Sequence, residues 1–212
     1  MASPVGTVGS KQNFQSGAQV DQSFDPFSGQ RMVDSRGHFT DLVSRGRVFL
    51  AANQAGAVVT NLNATATGFI LTNPVGSAVW LAILRVQFQQ TSTAAAAANA
   101  GVQLAAGLFS NTAVTHTTPL TVRSALIGGS ATGVGLADSS STLPAAPVAV
   151  MNLWQPSVSA TATTGIPPMV DVNVDGLIIV APGCTVSLSA LGTLSGASAM
   201  FWEEFPAPSN YA

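Results

Sequence analysis

From Val48 onward the chain is a succession of short runs rich in β-branched, aliphatic and aromatic residues, each stopped by Gly, Pro, Asn or Asp. That spacing is how a sandwich or barrel is written, because each strand must cross a thin core and turn before the next can pair. The pattern predicts strands near residues 48–52, 57–62, 68–72, 78–89, 102–109, 120–127, 147–154, 172–180, 185–191 and 198–205. The breakers are Asn73-Pro74, Gly128-Gly129, Pro167-Pro168 and Pro182-Gly183. The expected class is all-β, an antiparallel sandwich. Residues 91–100 are Ala-rich and read as a loop tip with marginal helix, since short isolated helices are weak in water.

Two predicted strands carry most of the architectural information. In residues 185–191, Val186, Leu188 and Ala190 alternate with Thr185, Ser187 and Ser189, so one face should enter a core and the other meet solvent or a polar neighbour. In residues 78–89, Trp80, Ala82, Leu84, Val86 and Phe88 line one face, while Val79, Leu81 and Ile83 occupy the other before Arg85, Gln87 and Gln89. A strand apolar on both sides implies a covered second face, by a loop, an arm or another subunit. Val79, Leu81 and Ile83 are therefore the expected oligomer contact.

Composition changes near Arg47. Residues 1–47 hold five of the seven basic residues and four of the nine acidic ones, with few aliphatics and much Gly, Ser and Gln. Such a segment cannot bury enough apolar surface to fold alone. The expected organisation is an extended N-terminal arm, 1–46, and a β-sandwich domain, 47–212. Its aromatics, Phe14, Phe24, Phe27 and Phe39, are spaced as anchors for grooves on another molecule, and Phe24, Phe27, Arg31, Arg36 and Phe39 are the expected attachment residues; the alternative is a disordered tail.

Charge and cysteine content narrow the function classes. A net charge of −2 with only 8% charged residues gives no basic patch for phosphates, so no nucleic-acid partner is expected. No run approaches the ~20 apolar residues that span a bilayer, and no membrane partner is expected. Met-Ala-Ser-Pro-Val-Gly lacks the basic-then-apolar order of a signal peptide, so the mature chain is expected to begin at Met1. Cys184 is the single cysteine, which excludes an intrachain disulfide, suits a reducing compartment and reads as a small buried hydrophobe.

No enzymatic constellation emerges, and the chain is expected not to be an enzyme. His38 lies in the arm and His116 in a Thr-rich stretch, without a nucleophile elbow, phosphate loop or paired-histidine metal motif. Glu203 and Glu204 are adjacent, so on a strand they point to opposite faces and cannot share a proton. Two readings stay open for them: one buried against Arg85 or Arg123, or both exposed to solvent. Asp171-Val-Asn-Val-Asp175-Gly176 copies the first half of a calcium loop, but Pro182 stands where the bidentate Glu belongs, so no metal is assigned and no cofactor is expected. Asn63-Ala-Thr65 fits a glycosylation sequon but has no use without a secretory route.

The C-terminal third carries a resemblance. Asp175-Gly-Leu-Ile-Ile-Val-Ala-Pro-Gly183 runs a strand into a Pro-Gly turn, Thr185-Val-Ser-Leu-Ser-Ala-Leu191 follows, and Ala199-Met-Phe-Trp-Glu-Glu-Phe-Pro206 closes the series. This grammar resembles the closing strands of jelly-roll domains of the tumour-necrosis-factor and complement-C1q type, and more specifically virion proteins of tailed bacteriophages. Gly68-Phe-Ile-Leu-Thr-Asn-Pro-Val-Gly-Ser77 is similar to the segment before the central strand of such proteins. The resemblance implies a jelly-roll body forming a homotrimer, bound to a major capsid protein or another virion protein. It implies a decoration, cement or fibre component, made in the host cytoplasm and located in the virion. The rival expectation is a carbohydrate- or receptor-binding jelly-roll module using Trp80, Trp154, Trp202 or Tyr211 to stack on a sugar.

Overall fold

The computed structural model describes residues 39–91, 101–108, 114–154, 169–192 and 194–207, together with the backbone of 23–24 and 30–31. The chain divides into two units, Met1–Thr40 and Asp41–Ala212. In the first, β1 (Ser23–Phe24) and β2 (Gln30–Arg31) form a short antiparallel ladder. A single helical turn follows, α1 (Thr40–Ser44), with Asp41 in its first turn and an ion pair to Arg45 at 2.9 Å.

The second unit is an antiparallel sandwich built from β3 (Val48–Val59), β4 (Thr65–Thr72), β5 (Val79–Gln90), β6 (Val102–Leu108), β7 (Thr115–Pro119), β8 (Arg123–Ser124), β9 (Leu136–Thr142), β10 (Val148–Trp154), β11 (Met169–Asn173), β12 (Ile179–Val180), β13 (Cys184–Ala190) and β14 (Leu194–Pro206). Sheet I has the order β11-β5-β14-β3-β8, with β12 also on β5. Sheet II has the order β10-β6-β13-β4-β9-β7. The chain steps between sheets from β3 to β4, β5 and β6, and again from β10 to β11, β13 and β14, so strands distant in sequence become neighbours.

One core fills the space between the sheets. Phe49, Leu81, Ile83, Val86, Phe88, Met200 and Trp202 from sheet I meet Phe69, Leu71, Leu104, Val186 and Leu188 from sheet II, all buried. At about 1.5–3 kcal/mol for each large apolar side chain, this layer is the main source of stability. The Val186, Leu188, Ala190 face of β13 enters the core as its alternation predicts. Thr185, Ser187 and Ser189, on the other face, are buried as well.

In β5 the facing differs from the sequence expectation. Phe201 of β14 pairs with Arg85 and Trp202 with Ile83, so one step of β14 spans two of β5 and Leu84 is the extra residue of a bulge. A bulge reverses the alternation. Leu81 and Ile83 therefore share the inner face with Val86 and Phe88, rather than opposing them, and both are fully buried in the core of the single chain. Val79 packs against the same core. These three side chains are not an outward face awaiting a subunit.

The neighbouring strand records the same bulge. The Leu84 carbonyl accepts from the Val174 and Asp175 N–H groups at 2.8 and 3.0 Å, and the Ile83 carbonyl accepts from Gly176 at 2.8 Å. Asp175 (φ 51°) and Gly176 (φ 79°) adopt left-handed backbone to make this wrap, which splits the expected 172–180 strand into β11 and β12.

Three further departures have local causes. Residues 48–52 and 57–62 belong to one strand in part, β3, because Gly56 (φ 71°) absorbs an irregularity where Asn53 pairs with Ser198 and Ala57 with Gly196. Strands β7 and β9 lack the apolar alternation that marks a strand, since β7 is an exposed sheet edge and β9 is mostly polar. Residues 120–127 supply only the two-residue β8, and Leu126 and Ile127 point to solvent. The Ala-rich expectation for 92–100 lies outside the described residues.

Candidate functional site

Between β8 and β9 the chain makes a long excursion whose residues, Val122 to Gly133, enclose a cleft of ≈ 540 Å³. Its sequence, Leu-Ile-Gly-Gly-Ser-Ala-Thr-Gly over 126–133, is too rich in Gly and small residues to fold on its own, so its shape is imposed at the two ends.

At the entry, Arg123 and Ser124 pair with Leu50 and Phe49 of β3, and the Ala125 N–H donates to the Val48 carbonyl at 2.8 Å. The Ser124 hydroxyl accepts from the Leu126 N–H at 3.2 Å. A turn at Gly128 (φ 85°) then closes with Gly129 N–H donating to the Leu126 carbonyl at 2.8 Å.

At the exit the anchor is Glu204. Its carboxylate accepts from the Val134 N–H at 2.8 and 3.0 Å, from the Gly135 N–H at 2.9 Å and from Trp202 Nε1 at 3.0 Å. Glu204 is only 8% exposed. A buried carboxylate is tolerable when charge-assisted hydrogen bonds replace its water, and three N–H donors do so here. Its partners are backbone amides and an indole, not Arg85 or Arg123 as the sequence suggested. Glu203, on the opposite face, takes Arg47 at 3.1 Å. A side chain at Gly135 would sit 3.1 Å from the indole nitrogen and 3.3 Å from the carboxylate, so the close approach favours glycine.

The cleft so formed has apolar and cationic walls. Leu126 and Ile127 are 42% and 87% exposed, and Val122, which also lines the cleft, is half-buried with its side chain against the core. Arg123 is exposed and, among the described residues, the one arginine without an ion pair: Arg45 holds Asp41, Arg47 holds Glu203 and Arg85 holds Asp171. The N–H groups of Ile127, Gly128, Ser130, Ala131 and Thr132 find no acceptor among the described residues. An anion with an apolar body would suit both walls at once.

Other motifs are placed as follows. Arg85 donates from Nε to Asp171 Oδ1 at 2.7 Å and from Nη2 to the other oxygen, and this hydrogen bonding holds the Asp171 carboxyl below its usual range despite opposing desolvation. Both oxygens of the calcium-like run's first residue are thus engaged by a cation. Among the described residues no three metal-ligating side chains come together. His116 Nδ1 lies 2.5 Å from Oδ2 of Asp138, a buried acid on β9 whose Oδ1 has no partner. Among the described residues no hydroxyl hydrogen-bonds that imidazole.

Of the aromatics suggested for sugar stacking, Trp202 is fully buried, Trp154 packs on the core, and Trp80 meets Phe205 edge-on at 5.9 Å. Tyr211 lies outside the described residues, as do Phe27, Arg36 and the side chains of Phe24 and Arg31. Phe39 is half-buried just before α1. Cys184 is partly buried against the core. Sequence reasoning missed the cleft because it read 120–127 as a strand; the Gly128-Gly129 breaker and the glycines that follow were the available signal. No family model, curated protein or solved structure matches this chain.

Proposed function

We propose that this chain is a structural component of a virus particle, of capsid decoration, cement or fibre type, which self-associates through the outer face of sheet I. The observation that carries the reading is the composition of that face. Strand register places Asp171, Gln87, Ala199 and Ala52 in one row and Asn173, Arg85, Phe201, Leu50 and Arg123 in the next, and residues paired across a sheet share a face. Its centre, Ala199, Ala52, Phe201 and Leu50, is uncharged and half-buried, while its charges stand at or near the rim. An uncharged centre within a polar rim is the anatomy of a protein interface, and a second copy supplies a cover of the same kind.

The particle, the trimer and the jelly roll rest on the sequence resemblance. The strand order supports the last of these, since β14 lies between β3 and β5 while β13 lies between β4 and β6, bringing the end of the chain into the middle of both sheets. In this reading the arm, with Phe24, Phe27, Arg31, Arg36 and Phe39, attaches the sandwich to the shell.

Light scattering behind a sizing column tests the association: a mass near three times 21.4 kDa is expected, and a mass of 21.4 kDa would overturn it. Cryo-electron microscopy of particles from a host expressing the chain tests the location. Density repeating with the shell symmetry is expected, and particles without the chain would refute the virion assignment.

A further inference from the structure

We infer that the cleft between β8 and β9 binds a peptide segment that carries a carboxylate beside an aliphatic side chain, Arg123 taking the carboxylate and Val122, Leu126 and Ile127 taking the aliphatic neighbour. The inference stands on the cleft's own chemistry and does not depend on the self-association reading.

Three features lead to it. The guanidinium of Arg123 is without a counter-ion among the described residues, on a chain where every other described arginine has one. A planar guanidinium matches a carboxylate through two parallel hydrogen bonds. The second feature is apolar surface on a held loop: Ile127 at 87% and Leu126 at 42% exposure stay wet between the β8 pairing at one end and the Glu204 clamp at the other. A loop pinned at both ends loses less freedom on binding, which favours it as a receptor. The third is what the lining lacks. No aromatic ring faces the cleft, so a sugar acid would have nothing to stack on, and a single cation suits a singly charged group better than a phosphate.

The test is titration of the ¹⁵N-labelled full chain with Ac-Leu-Asp-Leu-NH₂, Ac-Leu-Asn-Leu-NH₂, acetate and N-acetylneuraminic acid, followed at the amides of Gly128, Gly129 and Gly133. Saturable shifts with the Asp peptide are expected, with affinity at least about tenfold above the Asn peptide, the effect of one charge-assisted bidentate contact. Acetate, lacking the aliphatic part, should bind more weakly than the Asp peptide. Arg123→Gln should abolish the preference for Asp over Asn, and Arg85→Gln, on β5 and already paired with Asp171, should preserve it. Equal affinity for the two peptides, an unchanged preference in Arg123→Gln, absence of saturable shifts, or tighter binding of the sugar acid would each overturn the inference.

Discussion

Trp202 Nε1 donates to the carboxylate of Glu204 across 3.0 Å, two residues along the inner face of β14. Residues i and i+2 of a strand share a face, so the pair needs no long-range folding to meet. What it gathers is distant in sequence: the Val134 and Gly135 N–H groups join the same carboxylate. The last strand thereby sets the far wall of the cleft.

Glu204→Ala should cost more than loss of one ordinary hydrogen bond. It leaves the buried Gly135 N–H and indole N–H without an acceptor, at about 1–3 kcal/mol for each, while the part-buried Val134 N–H can turn to water. Glu204→Gln keeps an accepting oxygen and should cost less than Glu204→Ala, and Trp202→Phe should spare the backbone contacts altogether. Denaturant unfolding gives the ranking. Equal stability of Glu204→Ala and wild type would show the loop held by something else.

Gly196→Ala should destabilise the sandwich at the β14 edge of the core. An added Cβ would lie 2.4 Å from the Phe88 ring and 2.6 Å from the Gln89 carbonyl oxygen. The ring can rotate away, but the carbonyl belongs to a paired strand and cannot. Overpacking of this kind costs about 1–3 kcal/mol. Because the second clash is with backbone, Phe88→Leu should rescue the variant only in part. A thermal melt of single and double mutants checks this; full rescue would place the whole effect on the ring.

How much of this was legible depends on what fixed each strand. The Thr185 to Ala190 alternation set both strand and facing, because one side is apolar and the other hydroxylic. Residues 78–84 are apolar at every position, so period two has no phase to lock onto, and the bulge at Leu84 decided it instead. That bulge needs both its neighbours, β14 and the 174–178 wrap, neither of which is local in sequence. Strands β7 and β9 are made by pairing rather than by pattern. For the acids, adjacency told correctly that Glu203 and Glu204 diverge. Which one goes inside was decided by N–H groups about seventy residues away.

Acid should loosen the β11 to β5 contact through Asp171. Hydrogen bonding to Arg85 lowers the folded-state pKa of this carboxyl, so its contribution is present above the ordinary carboxylate range and is lost as pH falls through the folded value. The pair is exposed to solvent, so the effect should be small and weakened by salt. An NMR pH titration should show Asp171 titrating below an unpaired aspartate, and Arg85→Gln should return it upward. An unchanged midpoint in that variant would mean Arg85 is not the cause.

Leu81→Asp and Ala199→Arg separate the core from the proposed interface, because their side chains occupy opposite faces of sheet I. Leu81 is fully buried inside the single chain. An aspartate there is an unpaired carboxylate in an apolar core, which costs several kcal/mol unless it takes up a proton. That substitution should therefore lower the melting temperature at any protein concentration. Ala199 is half-buried on the outer face, between Gln87 and Ala52. An arginine there can extend into water in a monomer, so the fold and its circular dichroism should be kept. Between two copies the same charge would lie in an uncharged centre without a partner, and the assembly should fall apart on a sizing column. An Ala199→Arg protein that keeps the wild-type mass would move the interface off this face; a Leu81→Asp protein that dissociates with its thermal stability intact would place Leu81 in a subunit contact after all.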